Sequence, residues 1–523
     1  MRPGALDVLI SVDQPSLARW VLMLADALER VAGARVFLRL AETASEDEPA
    51  ALRALLALER LTQRRGRPCA SDRIRKAEAA SRMAEPGDFR PDAIIDLTAA
   101  APRNPPPGTV LLRPLYNGHA GVNALAGALF FEGTPEIAIE QRLPDSIEGA
   151  IVAHGFASLE VASGLGEGME AVYSRVLTLI VRELAGDGAG AIFSPEAMRG
   201  KSVRRIGAAN ALHRSARMVA AAAARAAYHL CCHPSHWRVG WRFVRPGDDV
   251  WSRRDLGGVR WNVLADPVDH FYADPFPLHW QGRDYLFFED LDYRTGKGII
   301  SAVSFDERGR PGQTFPVLEE PWHLSYPSLI EWDGQIWMIP ESSANREIAI
   351  YRAVDFPLRW ERHAVLVGDV EAADATIAAH DGLLWMFAVT REAIGGYSDT
   401  LAIWHASDLF GPWRAHRANP VLVDDRAARP AGNLVNLDGM LYRPVQDCRA
   451  AYGAAVNLMR VTRLDEEGFE QESDGRVAPG PAWPGRRLHT LNYNGRLEVI
   501  DGFVIRPRVK MLADMVDRRF LPR

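Results

Sequence analysis

Two aspartates at matching positions of a repeated pattern, Asp274 and Asp374, are the residues of this chain best suited to acid–base chemistry. Each stands eight residues before a turn glycine, Gly282 and Gly382 respectively. Paired carboxyl groups can donate and accept a proton on the two sides of a reacting bond. Glu341, seven residues after the turn glycine of its own copy, adds a third carboxyl group. The spacing therefore predicts a catalytic set of Asp274, Asp374 and Glu341.

The pattern that carries these residues occurs five times in the second half of the chain. Each copy has a short apolar run, a turn ending in glycine and an alternating apolar strand, and the turn glycines are Gly282, Gly334, Gly382, Gly439 and Gly495. A strand-rich period near 50 residues is typical of a β-propeller, in which each blade is a four-stranded sheet. Five copies predict five blades. Residues 236–241 are expected to complete the last blade and close the ring.

The same two register positions in the other copies, together with residues beside them, provide polar side chains for binding. Those predicted to contact a substrate are Glu289, Tyr326, Arg429, Arg443, Gln446, Asp447 and His489. Glu289 is also the alternative to Glu341 as proton donor. Arg429 cannot donate a proton at neutral pH, but its guanidinium suits a phosphate, carboxylate or sulfate. Carboxylates on one side of the channel and basic groups on the other predict a sugar-phosphate or another anionic sugar as ligand.

A family resemblance supports a carbohydrate-related role for residues 236–505. This region resembles the N-terminal domain of glucosamine inositolphosphorylceramide transferases in the stretches that begin at Tyr326, Arg429, Gln446 and His489. The first copy, from Asp274 to Glu289, is also similar to the opening blade of five-bladed glycosidases of families 43, 32 and 68. That similarity implies that Asp274 is a base or nucleophile and that Asp374 tunes the acid. The chain departs from those families because Arg429 stands near the place of their acid glutamate.

The first half of the chain alternates strands with helices. Strands are predicted at residues 6–12, 34–39, 92–97, 109–112 and 136–141, and helices at about 15–31, 48–84, 121–131 and 166–184. This alternation is typical of a doubly wound parallel sheet. The predicted fold class is therefore multidomain, with an α/β domain over residues 1–190, a helical linker over 191–235 and an all-β propeller over 236–523.

The loop after the strand at 109–112 contains Asn117-Gly118-His119. Together with the order of the strands, this loop is similar to the N-terminal domain of formyltransferases. The resemblance implies a folate cofactor, with His119 polarising the formyl carbonyl. The alternatives are a retained fold without formyl transfer, or another small-molecule role at the same cleft.

The linker is basic and helical from residue 196 to 232. It is predicted either to pack against a domain or to lie on an acidic lipid surface. The stretch Cys231-Cys232-His233 has metal-capable residue types, but no second ligand pair accompanies it, so no metal site is predicted.

Composition narrows the classes of partner and compartment. A net charge of -6 gives no general reason to expect nucleic acid or membrane as a partner. No signal peptide and no apolar run of about 18 residues is recognised. Four cysteines without a pattern are typical of a reducing compartment, so a cytoplasmic location is expected.

Three hypotheses about function follow. The first is a carbohydrate-active protein that binds a sugar at the propeller channel, and transfers or hydrolyses it, in surface glycan or glycolipid metabolism. The second is a glycan-recognition module without catalysis. The third is a sugar N-formyltransferase that uses the N-terminal domain. The sequence assigns neither a cofactor to the propeller nor an oligomeric state.

Overall fold

The structure is a computed structural model that describes the chain apart from residues 1–5, 15, 42–47, 65, 84–88, 103, 147, 187–202, 234, 393, 484 and 518–523. It divides into two compact units, one of residues 1–221 with 392–396 and the other of residues 222–391 with 397–523. Among the helices described, none combines the length and apolarity needed to span a bilayer.

The first unit is built on a six-stranded sheet in the order β2-β1-β3-β4-β5-β6. Its strands are β1 Asp7–Val12, β2 Arg35–Leu40, β3 Ala93–Asp96, β4 Val110–Tyr116, β5 Glu136–Arg142 and β6 Ala150–Phe156. Strands β1 to β4 are parallel, whereas β5 and β6 are antiparallel to their neighbours. The sheet is therefore mixed, and the predicted doubly wound parallel arrangement is not confirmed.

The reversal at β5 has a local cause in Asn117, which follows β4 directly. Its side-chain Oδ1 accepts a hydrogen bond from the backbone N–H of Glu136 at 2.9 Å, and its own N–H donates to the Glu136 carbonyl at 2.9 Å. Strand β5 thus starts beside the end of β4 and has to run back along it.

Four of the described α-helices pack in the first unit, and the last of them is buried on all sides from Val172 to Ile180. They are α1 Arg19–Val31, α2 Ala50–Thr62, α3 Val122–Phe131 and α4 Leu165–Ala185, with a 3₁₀ helix at Lys76–Arg82. In α1, Trp20, Leu24 and Leu28 follow at helical spacing, and Trp20 stacks on Tyr173 of α4 with ring centroids 4.4 Å apart. The predicted helix over 48–84 is wrong beyond Thr62, because the chain turns at Gly66, where φ is +78°.

Helix α5, Ala208–Cys231, occupies much of the predicted linker, and most of its side chains are exposed. Residues 191–202 of that linker, which include Arg199 and Lys201, lie outside the described residues.

The second unit is a five-bladed β-propeller, as predicted. Blade one has β9 His270–Trp280, β10 Arg283–Asp292, β11 Lys297–Ser304 and β12 Phe315–Leu318. Blade two has β13 Ser325–Trp332, β14 Gln335–Glu341, β15 Glu347–Asp355 and β16 Arg359–Gly368. Blade three has β17 Ala372–His380, β18 Leu383–Thr390 and β19 Thr400–Ala406, with β20 Arg414–Ala415 and β21 Leu422–Val423 both paired to β19.

The last two blades complete the ring. Blade four has β22 Val435–Leu437, β23 Met440–Asp447, β24 Ala455–Leu464 and β25 Phe469–Val477. Blade five combines β26 Leu491–Tyr493 and β27 Leu497–Phe503 with β7 Trp237–Phe243 and β8 Asn262–Val263. Two short helices, α6 Val250–Arg253 and α7 Lys510–Asp517, and a 3₁₀ turn at Ser343–Asn345 complete the unit.

Closure of the ring by the strand at the start of the propeller is confirmed. Strand β7 pairs antiparallel with β27, from Trp237 opposite Phe503 to Phe243 opposite Leu497. Arg242 of β7 and Glu498 of β27 form an ion pair of 2.7 Å whose two side chains are completely buried. Strand β7 thus covers the outer edge of β27, which would otherwise be unpaired.

The inner strands of three blades carry a bulge at the same position. Asp274, Tyr326 and Asp374 have φ values of +49°, +44° and +58°, which residues other than glycine rarely adopt. Each lies where the pairing with the next strand shifts register. A bulge re-aims the side chain it carries, so these three residues leave the regular alternation of their strands.

Candidate functional site

A cavity of about 530 Å³ lies beside the first-blade bulge, within the size range of small-molecule sites. Its carboxyl groups are Asp274, Glu289 and Glu341. Its aromatic residues are Trp237, Phe271, Tyr293 and Tyr452, and its basic groups are His323, Arg429 and His489. Aromatic faces beside hydrogen-bonding groups match the two kinds of surface that a sugar ring presents.

A larger crevice of about 890 Å³ lies at the other ends of the strands, around Gly282 and Arg496. It contains none of the predicted site residues, and its charged side chains are mostly exposed. The 530 Å³ cavity is therefore the better candidate for chemistry.

Asp274 is buried at the centre of this site. Thr490 donates a hydrogen bond from Oγ1 to Asp274 Oδ1 at 2.9 Å, and His489 Nε2 lies 3.4 Å from the same oxygen. Burial raises the pKa of Asp274 to about 6, and Asp501 and Asp374 act in the same direction while His489 opposes it. Asp274 is thus a carboxylate at neutral pH whose proton affinity is unusually high.

His489 joins Asp274 to a residue that the sequence analysis missed, Asp501. His489 Nδ1 lies 2.6 Å from Asp501 Oδ1, and Asp501 is fully buried in β27. Burial opposes a charged imidazole, but Asp501 and Asp274 outweigh it and raise the pKa of His489. The imidazole also stacks on Trp237, with ring centroids 3.9 Å apart.

These three groups offer ligand atoms within 4.8 Å of one another, which is a spacing that a metal ion accepts. Their facing atoms are already joined by the contact of His489 with Asp501 and by the hydrogen bond from Thr490 to Asp274. Hydrogen bonding therefore accounts for this grouping without a metal ion.

The two glutamates of the cavity differ in their surroundings. Glu289 is buried opposite Ala273 in the β9–β10 pairing, and His323 Nε2 lies 3.4 Å from its Oε1. Burial first, and then the nearby Asp274 and Glu341, raise the pKa of Glu289 well above its usual range. Glu341 is half-buried and accepts hydrogen bonds from Ser325 at 3.1 Å and Ser343 at 2.9 Å. Glu289 is therefore a carboxyl group whose surroundings favour the protonated form.

Asp374 and Arg429 form a buried ion pair. Arg429 Nε donates to Asp374 Oδ2 at 2.6 Å, and Gln446 Nε2 lies 3.4 Å from the same oxygen. Burial raises the pKa of Asp374 to about 6, while Arg429 opposes the rise. The structure thus brings together Asp374, Arg429 and Gln446, but of these three only Arg429 is among the residues that line the cavity.

Three other predicted binding residues do not line this cavity. Tyr326 is fully buried and its hydroxyl bonds Thr376 at 2.9 Å and the N–H of Gly432 at 2.7 Å. Arg443 packs over Phe387 and donates to the Ala428 carbonyl. Asp447 is held by Arg449 and Arg476. These contacts join blades or strands rather than face the cavity.

In the first unit, the side chain of Asn117 is used in internal hydrogen bonds. It accepts from the backbone N–H of Glu136 and donates to the carboxylate of Glu132 at 3.2 Å. His119 is half-buried and forms a backbone bridge with Tyr116. The cavity beside Tyr116 has a volume of about 10 Å³, room for about one water. The resemblance to formyltransferases is not confirmed.

The sequence analysis missed two residues of the site, Asp501 and Trp237, because of where they stand in the sequence. Asp501 lies six residues after Gly495, one short of the position that supplies Glu289 and Glu341, so a comparison at an offset of seven residues passes over it. Trp237 belongs to the strand that closes the ring, and its distance from the fifth copy in sequence hides their contact.

Comparison with known proteins places the similarity on the propeller. The family model described as glucosamine inositolphosphorylceramide transferase 1, N-terminal, matches residues 264–500. The protein of that name from Oryza sativa subsp. japonica is 36% identical over 253 residues, which are 45% of this chain and 33% of the relative. The one from Arabidopsis thaliana is 35% identical over 207 residues, 39% of this chain and 27% of the relative. The predicted resemblance of the propeller to this domain is confirmed, and the match spans about a third of the curated relatives.

Solved structures that align with the chain include glycoside hydrolases. A family 117 enzyme of Zobellia galactanivorans shares 12% identity, covers 52% of this chain and 90% of its own, and has a TM-score of 0.33. A family 43 β-xylosidase/α-arabinofuranosidase from a compost metagenome shares 14% identity over 46% and 93% of the two chains, with a TM-score of 0.33. The five-bladed architecture is established by the strand pairing itself.

Proposed function

We propose that the propeller cavity binds a sugar and that Asp274 and Glu289 carry out acid–base chemistry at its glycosidic bond. The observation that carries this proposal is the pair of buried carboxyl groups on neighbouring strands of blade one, both lining the 530 Å³ cavity. Such pairs are the usual apparatus of glycosidic bond chemistry.

The surroundings assign different roles to the two groups. Burial raises the pKa of Glu289 well above its usual range and so favours the protonated form, and we assign Glu289 as the acid. Asp274 ionises with a pKa of about 6, so it is the base above that pH. Glu289 gives its proton to the leaving oxygen, which keeps the electron pair of the broken bond to C1. Asp274 accepts the proton of the attacking hydroxyl group while the oxygen of that hydroxyl group forms the new bond to C1.

The acceptor decides between the two outcomes. Water as acceptor gives hydrolysis, and the hydroxyl of a second sugar or a lipid gives transfer. Glu341, held by two serines at the edge of the cavity, is placed to bind sugar hydroxyls. Tyr452 and Trp237 provide apolar surface for the sugar ring.

Charge favours a neutral or amino sugar over the anionic sugar predicted from sequence. Arg429 is matched by Asp374, and His489 lies between Asp501 and Asp274. The basic groups of the cavity are thus compensated, while Glu341 adds negative charge. The name of the relatives contains glucosamine, which agrees with an amino sugar. We place this activity in glycolipid or surface glycan metabolism, and in the cytoplasm.

Purified protein and a panel of aryl glycosides, including those of glucosamine, N-acetylglucosamine and xylose, test the proposal. Wild type is expected to release the aryl group from at least one of them. Asp274→Asn and Glu289→Gln are expected to lower kcat by about 10²-fold or more while binding by calorimetry persists. Glu331→Gln, an exposed change on β13, is the control and should match wild type.

The second candidate is a recognition module without catalysis. It is favoured by the internal pairing of Asp374 with Arg429 and of Asp501 with His489. Sugar binding by wild type and by both variants, with turnover by none, would establish this candidate instead. Absence of both binding and turnover would overturn the two together.

A further inference from the structure

We propose that Asp501 and His489 act as a positioning pair that orients the carboxylate of Asp274 toward the cavity. The inference rests on the proposed function, because it assigns a role within that site. It concerns two residues of blade five that act on a residue of blade one.

Asp501 holds the backbone of both blades where blade one meets blade five. Its Oδ2 accepts the N–H of Asp274 at 3.0 Å, and its Oδ1 accepts the N–H groups of His489 at 3.2 Å and Thr490 at 3.0 Å. The bond to Asp274 N also holds this residue in its left-handed conformation, with φ of +49°.

His489 transmits the orientation from Asp501 to Asp274. With Nδ1 against Asp501, its Nε2 lies 3.4 Å from Asp274 Oδ1. Carboxylates at both ring nitrogens favour the imidazolium, in which both nitrogens carry a proton and can donate. Stacking on Trp237, with ring planes 25° apart, restricts rotation of the imidazole.

The result is an asymmetric carboxylate. Thr490 donates a hydrogen bond to Oδ1 of Asp274, and His489 lies close to the same oxygen. Within the part of the chain that the structure describes, no side chain or backbone group donates to Oδ2 of Asp274, and Asp274 is one of the residues that line the cavity. Oδ2 is therefore the oxygen available to a ligand, and its direction is set by the bonds to Oδ1.

Other titratable groups surround this trio and would contribute to its pH behaviour. They are Glu289, His323, Tyr326, Asp374, Arg429 and Tyr452. Among the described residues, His489 and Asp501 are the ones that combine an ionisable side chain with a direct contact to Asp274.

The first test needs no substrate. In protein labelled with ¹⁵N in histidine, the ring nitrogens of His489 are expected to show an imidazolium at pH 7, and the Asp501→Asn variant a neutral ring. The resonance is assigned by its loss in His489→Gln. A neutral ring in wild type at pH 7 would overturn the pair.

The second test is the pH profile of the glycoside turnover described above. In His489→Gln, loss of the cation should move the acid limb of kcat to higher pH by at least one unit, with KM changed less than threefold. Asp501→Asn should lower kcat at least tenfold. An acid limb of His489→Gln that coincides with that of wild type contradicts a positioning role.

The two proposals fail in different ways. If wild type turns over no glycoside, the catalytic proposal fails, and the ¹⁵N measurement still reports whether His489 is held as an imidazolium. Circular dichroism and thermal melting of each variant identify loss of folding. Should a variant not fold, the ¹⁵N measurement on wild type decides alone.

Discussion

Trp237 and His489 stack with ring centroids 3.9 Å apart, although one lies in the first strand of the propeller and the other just before the inner strand of blade five. Gly453 backs this stack. A Cβ atom at Gly453 would lie 2.6 Å from His489 Cβ and 3.1 Å from Trp237 Cη2. The stack therefore has no room to move toward Gly453.

Gly453→Ala should destabilise the protein more than an alanine in an open turn. Gly453 has φ of +61°, and the control Gly334 has φ of +68° with nothing near its missing Cβ. We expect Gly334→Ala to cost about 1 kcal/mol from backbone strain. Gly453→Ala should cost about 1–3 kcal/mol more, because the added methyl group collides with His489. Urea denaturation measures both values, and equal costs would show that the stack yields freely.

The Asp374–Arg429 pair should show strong energetic coupling. Arg429→Met leaves a buried carboxylate without its cation and is expected to cost about 3 kcal/mol or more at pH 7.5. The double variant Asp374→Leu with Arg429→Met should cost clearly less than the sum of the single changes. Guanidinium denaturation of the four proteins gives the coupling energy. Additive costs would mean that the pair contributes little.

Stability should depend on pH through Asp274. Burial raises its pKa from 3.8 to about 6, so the folded state binds this proton more tightly than the unfolded state. The resulting stabilisation is full below pH 3.8 and is lost as pH rises through 6. The unfolding free energy of wild type minus that of Asp274→Asn should therefore fall between pH 4 and 6.5. The exposed turn variant Asp333→Asn serves as control, and a flat difference for Asp274→Asn contradicts the prediction.

Tyr326→Phe should destabilise the centre of the ring. The hydroxyl of Tyr326 accepts from the N–H of Gly432 and bonds Thr376, so its removal leaves a buried donor unpaired. Such a loss costs about 1–3 kcal/mol. Thermal melting should show a clear decrease in Tm for Tyr326→Phe and little change for Tyr285→Phe. A Tm equal to wild type would mean that water replaces the hydroxyl.

Arg443→Met should leave sugar affinity unchanged. The Arg443 guanidinium is buried between Phe387 and Phe469, and burial lowers its pKa to about 9. It has no place on the cavity wall. Calorimetry with the sugar that wild type binds should give the same Kd within about twofold, even if stability falls. A tenfold weaker Kd would restore its predicted role in binding.

The sequence predicted the blades well because their signals are local. A glycine with positive φ is needed in each two-residue turn, so Asp333-Gly334 and Asp381-Gly382 mark hairpins without knowledge of the rest of the chain. The spacing of these turns gave the number of blades. It also placed Asp274 and Asp374 at equivalent bulges.

What escaped prediction depends on contacts between distant segments. Asp501 and Trp237 complete the site from a blade that joins the two ends of the propeller. Arg429 alone suggested a positively charged site for an anionic sugar, but its ion pair with Asp374 compensates that charge. In the first unit, alternation of strands and helices does not reveal that β5 turns back, because the direction is set by hydrogen bonds of Asn117.

Blade five combines the first strands of the propeller with its last strands, and this affects when the site can form during synthesis of the chain. Trp237 leaves the ribosome well before His489 and Asp501, and its stacking partner does not exist until nearly the whole propeller has been made. A nascent chain, or a product cut short within blade five, therefore lacks the assembled cavity even if its first four blades have folded. The site described above is therefore a property of the finished propeller, because its residues come from both ends of that unit.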